Sequence, residues 1–296
     1  MVNGHMVPYA WPVPPGQTEP PRWTGQGFQL CDTLTPVLSY AAGRSATTDA
    51  PTAFYAEAGA THFMDRASRR RALGQLCRYV SRERPVILDA GCSFGFMVRE
   101  IRAQFPNALV IGSDVAREPL DELARHTTDV PLLQFDLVTC PLPETSVDAV
   151  LLLNVLEHID DERSALRQLY RILKPGGVLV IEVPAGPDLY DVFDRLLQHH
   201  RRYTLAGLCG LLEETHFRIL NQSHLGCLVY PGFWLVKRRN RRFLSERSAA
   251  RIQRVTENIR YAKSSRLVHG IMCAELRLGA HLSYPFGIRC LVTCAK

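Results

Sequence analysis

Four polar residues follow four short apolar runs of this 296-residue chain, at the points where those runs end. Asp89 ends the run VILD, Asp114 ends VIGSD, Asp136 follows LLQF and Asn154 follows AVLLL. Runs that are apolar throughout predict strands buried on both faces, as in a parallel sheet. Open sheets of this kind bind ligands at the carboxyl ends of their strands. The sequence therefore predicts that three carboxylates and one amide surround one ligand.

A glycine-rich turn follows the first of these runs. Gly91 and Gly95 flank the tripeptide Cys-Ser-Phe, and an amphipathic segment comes next. Glycines let backbone N–H groups approach a ligand closely, and the start of the following helix attracts a carboxylate or phosphate. The dinucleotide pattern G-x-G-x-x-G is absent. Asp89 would also repel a pyrophosphate, so the turn favours another ligand.

The carboxylates favour S-adenosylmethionine as the cofactor. Asp89 suits the ammonium and sulfonium of its methionine end, and Asp114 can accept hydrogen bonds from both ribose hydroxyls. Asp136 can accept from the adenine amino group, with Leu137 beside it. The predicted cofactor-binding residues are Asp89, Gly91, Cys92, Ser93, Gly95, Asp114, Val115, Asp136, Leu137 and Asn154.

The order of these motifs resembles a known family. DAGCSFG, GSD, FDL, LLLNVLEHIDD and LYRILKPGGVLVIEVPA, across about residues 85 to 185, look like the motif series of class I S-adenosylmethionine-dependent methyltransferases. The resemblance implies an enzyme with an α/β fold, a doubly wound, seven-stranded, mostly parallel sheet whose last strand is antiparallel. A weaker resemblance rests on HHRRY at 199–203, which is similar to an H-x-R-R-Y element of methyltransferases often associated with glycan assembly.

Histidines and their neighbours are the candidates for chemistry on the acceptor. Methyl transfer is an in-line displacement in which positioning contributes most, with a base added if the acceptor is a hydroxyl. We predict catalytic roles for His199, His158 and Tyr203, the alternative for His158 being to tie down its loop. The predicted substrate-binding residues are His62, His200, Arg201 and Arg202, with the arginines binding phosphate or carboxylate. The alternatives are that the arginines fix a turn between two helices and that His62 packs on its aromatic neighbour.

The order of elements predicts the Rossmann-like core with two additions. An irregular arm (7–30) and a helix (53–80) precede it, and the core contains a helix at 188–200 and a strand at 178–183. An inserted helical cap, with helices at 243–262 and 265–281, precedes the last strand (288–294), because the gap is too long for a loop. The predicted divisions are 1–84, 85–223, 224–285 and 286–296.

Charge and cysteines restrict the partners. The net charge of the whole chain is +6. The positive charge is concentrated in the segment 237–266, which has eleven lysines and arginines against two glutamates. Aromatic residues beside it predict contact with an anionic membrane surface or a phosphorylated substrate, or else a solvated helix face. No nucleic-acid motif accompanies the charge. The nine cysteines form no CxxC pair, so we predict reduced thiols, a cytoplasmic protein and no metal site.

The predicted function is methyl transfer from S-adenosylmethionine to oxygen or nitrogen of a small-molecule, sugar or lipid-linked acceptor. Two alternatives stay open: an RNA methyltransferase, which the basic segment favours, and a binding module that keeps the fold without turnover.

Overall fold

The computed structural model describes residues 9–41, 62–241, 266–279 and 282–296. Eleven strands lie in these ranges. They are β1 (Arg22–Trp23), β2 (Phe28–Leu30), β3 (Thr33–Thr35), β4 (Val37–Ser39), β5 (Val86–Ala90), β6 (Leu109–Asp114), β7 (Leu132–Gln134), β8 (Val147–Leu153), β9 (Leu173–Pro184), β10 (Arg218–Leu225) and β11 (Arg289–Ala295).

Eight α-helices accompany the strands in the described ranges. They are α1 (Phe63–Tyr79), α2 (Phe96–Gln104), α3 (Arg117–His126), α4 (Glu162–Ile172), α5 (Val192–Leu196), α6 (Leu205–Glu214), α7 (Tyr230–Asn240) and α8 (Arg266–Leu278). None of the described helices is long and apolar enough to cross a membrane.

The main sheet has eight strands in the order β10-β11-β9-β8-β5-β6-β7-β4. All neighbours pair in parallel except that β11 runs antiparallel to both β9 and β10. The predicted α/β class and the antiparallel last strand are therefore confirmed. The eighth strand, β4, lies between the predicted arm (7–30) and the predicted helix (53–80), and it pairs Val37 with Leu132. Three residues are too few to show a period-2 pattern, which is why the sequence predicted seven strands.

Both faces of the sheet are covered, as the apolar runs require. On one face, Ile87 packs in a cluster with Leu76 of α1 and Val98 of α2. On the other, Leu88 packs in a cluster with Leu166 of α4. Alternate residues of one buried strand thus enter opposite layers, and this fixes the carboxyl end of β5 between them.

Several predicted elements need correction. The arm at 7–30 is not irregular throughout, because β1, β2 and β3 form a small antiparallel sheet. The helix predicted at 188–200 is shorter: α5 starts after its N-cap Asp191, which forms a capping box with Asp194, and leaves 197–200 non-helical. No helix was predicted at α7, although the proline at its second position, Pro231, is compatible with the first turn of a helix.

Two further differences concern β9 and the cap. Strand β9 begins at Leu173 rather than 178, and the register shift between its pairs with Val147 and Ala149 accommodates the Pro-Gly-Gly sequence. Helix α8 confirms the helix predicted at 265–281, whereas the helix predicted at 243–262 lies outside the described residues. The helix predicted at 53–80 is described only from Phe63.

Candidate functional site

The turn after β5 needs glycine at two positions. Gly91 and Gly95 have φ angles of 79° and 71°, in the left-handed region. A β carbon at Gly91 would lie 2.3 Å from Val155 Cγ2, and one at Gly95 would lie 2.4 Å from Leu123 Cδ1. Neither distance is compatible with a side chain, so both glycines let the turn pack closely against its neighbours.

Asp114 at the end of β6 holds this turn in place. Its Oδ2 accepts the N–H of Ser93 and its Oδ1 accepts the N–H of Ala116, both at 2.9 Å. Burial raises the pKa of Asp114, and these backbone hydrogen bonds oppose the rise. Each carboxylate oxygen keeps a lone pair, so Asp114 can still accept hydrogen bonds from ligand hydroxyls.

Asp89 has the opposite environment. The residue is 3% exposed, and its Oδ2 has no hydrogen-bond partner among the described residues. Burial, reinforced by the nearby Asp114, raises the pKa of Asp89 to about 7. A buried carboxylate without a partner costs free energy, which a cationic ligand group would recover. This is the feature that a ligand with an ammonium or sulfonium fits.

Asp89 lies in the wall of a cavity formed by several elements. Half of the predicted cofactor residues line it together with residues that the sequence did not indicate. The lining is Asp65, Ser68, Arg69, Asp89, Gly91, Cys92, Ser93, Phe96, Met97, Leu153, Asn154 and Arg289. The other predicted cofactor residues, Gly95, Asp114, Val115, Asp136 and Leu137, lie outside this lining.

Asn154 connects the cavity to β9. Its φ is 55°, which asparagine tolerates better than most residues, and its backbone N–H donates to the carbonyl of Glu182 at 2.8 Å. Its Nδ2 donates to Glu182 Oε1 at 3.4 Å. The side chain of Asn154 is thereby held at the cavity wall.

The residues predicted to bind the ribose and the adenine lie at the ends of the neighbouring strands β6 and β7. In the register of β6 and β7, Asp114 pairs with Gln134, which places Asp136 just beyond the same sheet edge. Asp136 is exposed, and its Oδ1 accepts the N–H of Val138 at 2.9 Å. Val115 is 40% exposed, and Leu137 is buried. The sheet therefore brings Asp89, Asp114 and Asp136 to one edge, as predicted.

The opposite wall of the cavity was missed by sequence reasoning. Arg289 of β11 pairs with Asp65 of α1 at 2.6 Å and with Glu182 of β9 at 3.0 Å, and its Nη1 donates to Ser68 Oγ at 2.5 Å. Arg289 and Asp65 are far apart in the chain, and no spacing pattern joins them. Only the antiparallel position of β11 and the packing of α1 bring them together.

The HHRRY segment forms a buried ion-pair network. His199 Nδ1 lies 3.0 Å from Asp194 Oδ1, and Arg202 Nε donates to the same oxygen at 2.7 Å. Lys237 of α7 donates to Asp191 at 2.6 Å and to Asp194 at 3.0 Å. Burial alone would raise the pKa of Asp194, but its bonds to His199, Lys237 and Arg202 hold that pKa well below its usual range.

The two candidate catalytic histidines contact each other. The rings of His158 and His199 meet edge to face with centroids 4.7 Å apart. Desolvation and the neighbouring His199 lower the pKa of His158 to about 3. Burial also lowers the pKa of His199, although Asp194 opposes the shift. Both imidazoles are therefore neutral near pH 7, and only His199 has a carboxylate that orients its ring.

The other predicted acceptor residues are not brought into the cavity lining. Tyr203 Oη donates to Glu162 at 2.6 Å, and Arg201 pairs with the same carboxylate at 2.9 Å. His200 is exposed, with its Nδ1 3.9 Å from Asp160. Arg202, as above, belongs to the buried network. These contacts are those of the alternative in which the segment fixes a turn.

His62 lies at the start of α1. Its Nδ1 is 3.8 Å from Asp65, which lines the cavity, and its ring packs against Phe63 with centroids 4.7 Å apart. His62 is thus adjacent to the cavity wall, and it also makes the aromatic contact that the alternative interpretation required.

Known proteins resemble this chain over the residues that form the core of the sheet. Residues 88–181 match the family described as "Methyltransferase domain". The chain is 28% identical over 138 residues to a "probable S-adenosylmethionine-dependent methyltransferase" of Mycolicibacterium smegmatis, covering 45% of this chain and 52% of that protein. It is 34% identical over 145 residues to a demethylmenaquinone methyltransferase of Thermus thermophilus, covering 46% and 64%.

A solved structure supports the fold. The chain superposes with a TM-score of 0.52 on phosphoethanolamine N-methyltransferase 2 of Haemonchus contortus in complex with S-adenosyl-L-methionine, at 18% identity, covering 77% of this chain and 52% of that one. The predicted methyltransferase fold and an S-adenosylmethionine-dependent methyltransferase domain are thereby confirmed. The chain spans about half the length of the first of these relatives.

Proposed function

We propose that this protein transfers a methyl group from S-adenosylmethionine to oxygen or nitrogen of a small-molecule, sugar or lipid-linked acceptor. The observation that carries the proposal is the buried carboxylate of Asp89, one oxygen of which has no partner among the described residues, beside a turn with glycines at two positive-φ positions. An uncharged or anionic ligand would leave this carboxylate uncompensated.

In this proposal each part of the cofactor has its own binding residues. Asp89 would bind the cationic methionine end, with the N–H groups of the glycine turn for its carboxylate. Asp114 would accept hydrogen bonds from the ribose and Asp136 from the adenine amino group. When bound, the cofactor supplies an electrophilic methyl group on a positively charged sulfur.

At the acceptor, the residues of the chain would orient the acceptor group and accept its proton. In this proposal His199 accepts the proton of an acceptor hydroxyl, because the contact with Asp194 orients its ring. The low pKa of His158 makes it a weak base, so its contribution is to pack against His199. The buried network of Asp194 with Arg202 and Lys237 is a positioning element rather than a reacting group.

The acceptor class is suggested by α7. This helix exposes the consecutive residues Trp234, Leu235 and Val236, and the guanidinium of Arg238 lies 5.0 Å from the Trp234 ring. Lys237 is buried and adds no surface charge. Adjacent apolar and cationic groups fit an anionic amphiphile, such as a lipid-linked phosphate or an anionic membrane surface. Residues 242–265 of the basic segment lie outside the described residues.

Vesicle sedimentation tests this acceptor class. We expect the protein to sediment with phosphatidylglycerol vesicles and not with phosphatidylcholine vesicles, and Trp234→Ser with Leu235→Ser to reduce the bound fraction. Val13→Ser, which removes another exposed apolar side chain, is the matched control. Equal sedimentation with both kinds of vesicle would contradict the anionic specificity.

Two alternatives make different predictions. An RNA methyltransferase would bind RNA with an affinity that falls steeply with salt, because counterions are released. A binding module would hold the cofactor and transfer no label. A cytoplasmic location stays a prediction in either case.

Calorimetry and a labelled-methyl screen test the function. We expect micromolar binding of S-adenosylmethionine, at least tenfold weaker in Asp114→Ala, because two or more charge-assisted hydrogen bonds are lost. Asp121→Ala, an exposed aspartate on α3, should bind as the wild type does. The screen then offers sugar, lipid-linked, aromatic and RNA acceptors. Binding that is unchanged in Asp114→Ala would contradict the proposal.

A further inference from the structure

Three potential metal ligands meet outside the lining of the cavity, near the loop that follows Asn154. Glu157, His158 and His199 each offer one ligand atom, and these atoms lie within 4.8 Å of one another. Glu157 and His158 belong to the turn that follows β8, three residues after Asn154 begins the loop. His199 reaches them from the far end of α5, and the N–H of His200 donates to the carbonyl of Glu157 at 2.8 Å.

Glu157 is buried without a partner. Its exposure is 0%, and neither carboxylate oxygen has a hydrogen-bond partner among the described residues. The nearest guanidinium groups are engaged elsewhere, since Arg289 pairs with Glu182 and Arg202 pairs with Asp194. A fully buried carboxylate is costly unless a cation or a proton compensates it. Glu157 therefore requires a proton or a cation other than the side chains of the described residues.

His199 is already oriented as a metal-binding histidine. Its Nδ1 is directed at Asp194 Oδ1, a carboxylate kept ionised by Arg202 and Lys237. Donation from Nδ1 leaves Nε2 with its lone pair free for a metal. Metal-bound histidines usually donate their other ring nitrogen to a carboxylate in this manner.

The local charge leaves room for a divalent cation. The two aspartates of the buried network, Asp191 and Asp194, are balanced by Arg202 and Lys237. When ionised, Glu157 adds a negative charge whose oxygens have no hydrogen-bond partner among the described residues. Ligand atoms about 2.1 Å from a tetrahedral ion are about 3.4 Å apart, so binding would draw these three together by roughly an ångström.

We propose that Glu157, His158 and His199 bind a divalent transition metal ion, Zn²⁺ in the first instance. Two imidazoles and one carboxylate suit zinc, whereas magnesium and calcium prefer oxygen ligands alone. Three protein ligands also leave a position open, as in catalytic zinc sites. The spacing of the cluster gave no sign of it in the sequence, because His199 is distant in the chain from the other two ligands.

A metal here would change the acceptor chemistry. This step rests on the proposed function. The acceptor hydroxyl would bind at the open position of the metal, which would lower the pKa of that hydroxyl, and the proton would leave to solvent. With the metal bound, this role would replace proton acceptance by His199, because its free ring nitrogen would be a metal ligand; in the metal-free protein His199 keeps that role. Metal binding itself is measured without cofactor or acceptor and does not depend on the proposed function.

Equilibrium dialysis tests the site. The full chain is stripped with a chelator and dialysed against Zn²⁺, and bound metal is measured by mass spectrometry. We expect one Zn²⁺ per chain and, in Glu157→Gln and in His158→Asn, a dissociation constant raised at least about tenfold. His126→Asn is the matched control, since His126 is an exposed histidine that contacts only Glu122 in the described structure. Its binding should equal that of the wild type.

Two measurements on the wild-type chain guard against variants that fail to fold. With Co²⁺ in place of Zn²⁺, the visible spectrum should show d–d bands without thiolate charge-transfer bands, because none of the nine cysteines is a ligand. Anomalous diffraction at the zinc edge should place one peak between Glu157 and His199. Binding below about 0.1 equivalent, a peak elsewhere, or full retention in both variants would overturn the proposal. Calorimetry with S-adenosylmethionine on the stripped chain tests the proposed function separately.

Discussion

Two regions at the carboxyl edge of the sheet treat buried carboxylates in opposite ways. In the HHRRY region, Asp194 accepts bonds from Arg202 and Lys237 and contacts His199. In the cavity, Asp89 is as well buried but has one oxygen without a partner among the described residues. A carboxylate with all its hydrogen bonds made stabilises the fold. One with an unpaired oxygen lowers the stability of the free protein and is available to bind a cationic ligand group. The difference separates positioning residues from ligand-binding residues.

The largest effect is expected from breaking the satisfied network. Asp194→Asn leaves Lys237 with Asp191 and removes the carboxylate that Arg202 pairs with. Because unpaired buried cations are costly, we expect the free energy of unfolding to fall by about 3–5 kcal/mol. Urea titration measures it. Glu214→Ala, which breaks an exposed pair with Arg163, is the control and should cost less than about 1 kcal/mol. Similar losses in both variants would contradict the comparison.

Removing the unsatisfied carboxylate of Asp89 should raise the free energy of unfolding rather than lower it. Burial raises the pKa of Asp89 from 3.8 to about 7, so its contribution to stability is fully present below about pH 4 and is lost as the pH rises to about 7. Asp89→Asn should therefore match the wild type near pH 4 and exceed its stability at pH 8, by at most about 4 kcal/mol, in the cofactor-free protein. Unfolding at both pH values checks this. A difference that does not depend on pH would contradict the raised pKa.

The turn itself should tolerate no side chain. Gly91→Ala adds a methyl group 2.3 Å from Val155 Cγ2 at a positive φ, so we expect a loss of about 2 kcal/mol and weaker cofactor binding. Val155→Ala in the same chain should recover part of the loss, by removing the contact but not the strain. Gly74→Ala in α1, where nothing lies within 4 Å, should stabilise by about 0.5–1 kcal/mol. If Gly91→Ala behaves like Gly74→Ala, the turn is not constrained as described.

The smallest effect concerns Tyr203. Tyr203→Phe removes the hydrogen bond to Glu162 at 2.6 Å and should cost about 1–2 kcal/mol. Tyr79→Phe, whose hydroxyl lies 3.5 Å from the Leu220 carbonyl, should cost less than about 0.5 kcal/mol. If turnover of Tyr203→Phe falls at a pH where the variant is fully folded, the predicted catalytic role gains support over the structural one.

The sequence predicted the fold of the core but not the packing around the HHRRY segment, for a physical reason. Asp89, Asp114 and Asp136 follow apolar runs, and parallel strands necessarily bring such residues to one edge. The wall made by Asp65 and Arg289 depends instead on how α1 and β11 pack from distant parts of the chain.

The roles of the residues in the HHRRY segment also could not be predicted from the sequence. Residue type alone left Arg202 open to two roles, because an arginine can bind a substrate anion or a buried aspartate equally well. Its partner Asp194 and the burial of Lys237 are decided by tertiary packing. Glu157 and His158 were visible as a pair, whereas their meeting with His199 was not.

The most direct test of the account is whether Asp89 binds the cationic end of the cofactor. Calorimetry at pH 7.5 would compare S-adenosylhomocysteine, which has the amino-acid group, with 5′-methylthioadenosine, which lacks it, on the wild type and on Asp89→Asn. We predict that Asp89→Asn weakens the first ligand at least about tenfold, the loss of one charge-assisted contact, and leaves the second within about twofold. Equal changes for both ligands, or no change for either, would contradict the central claim.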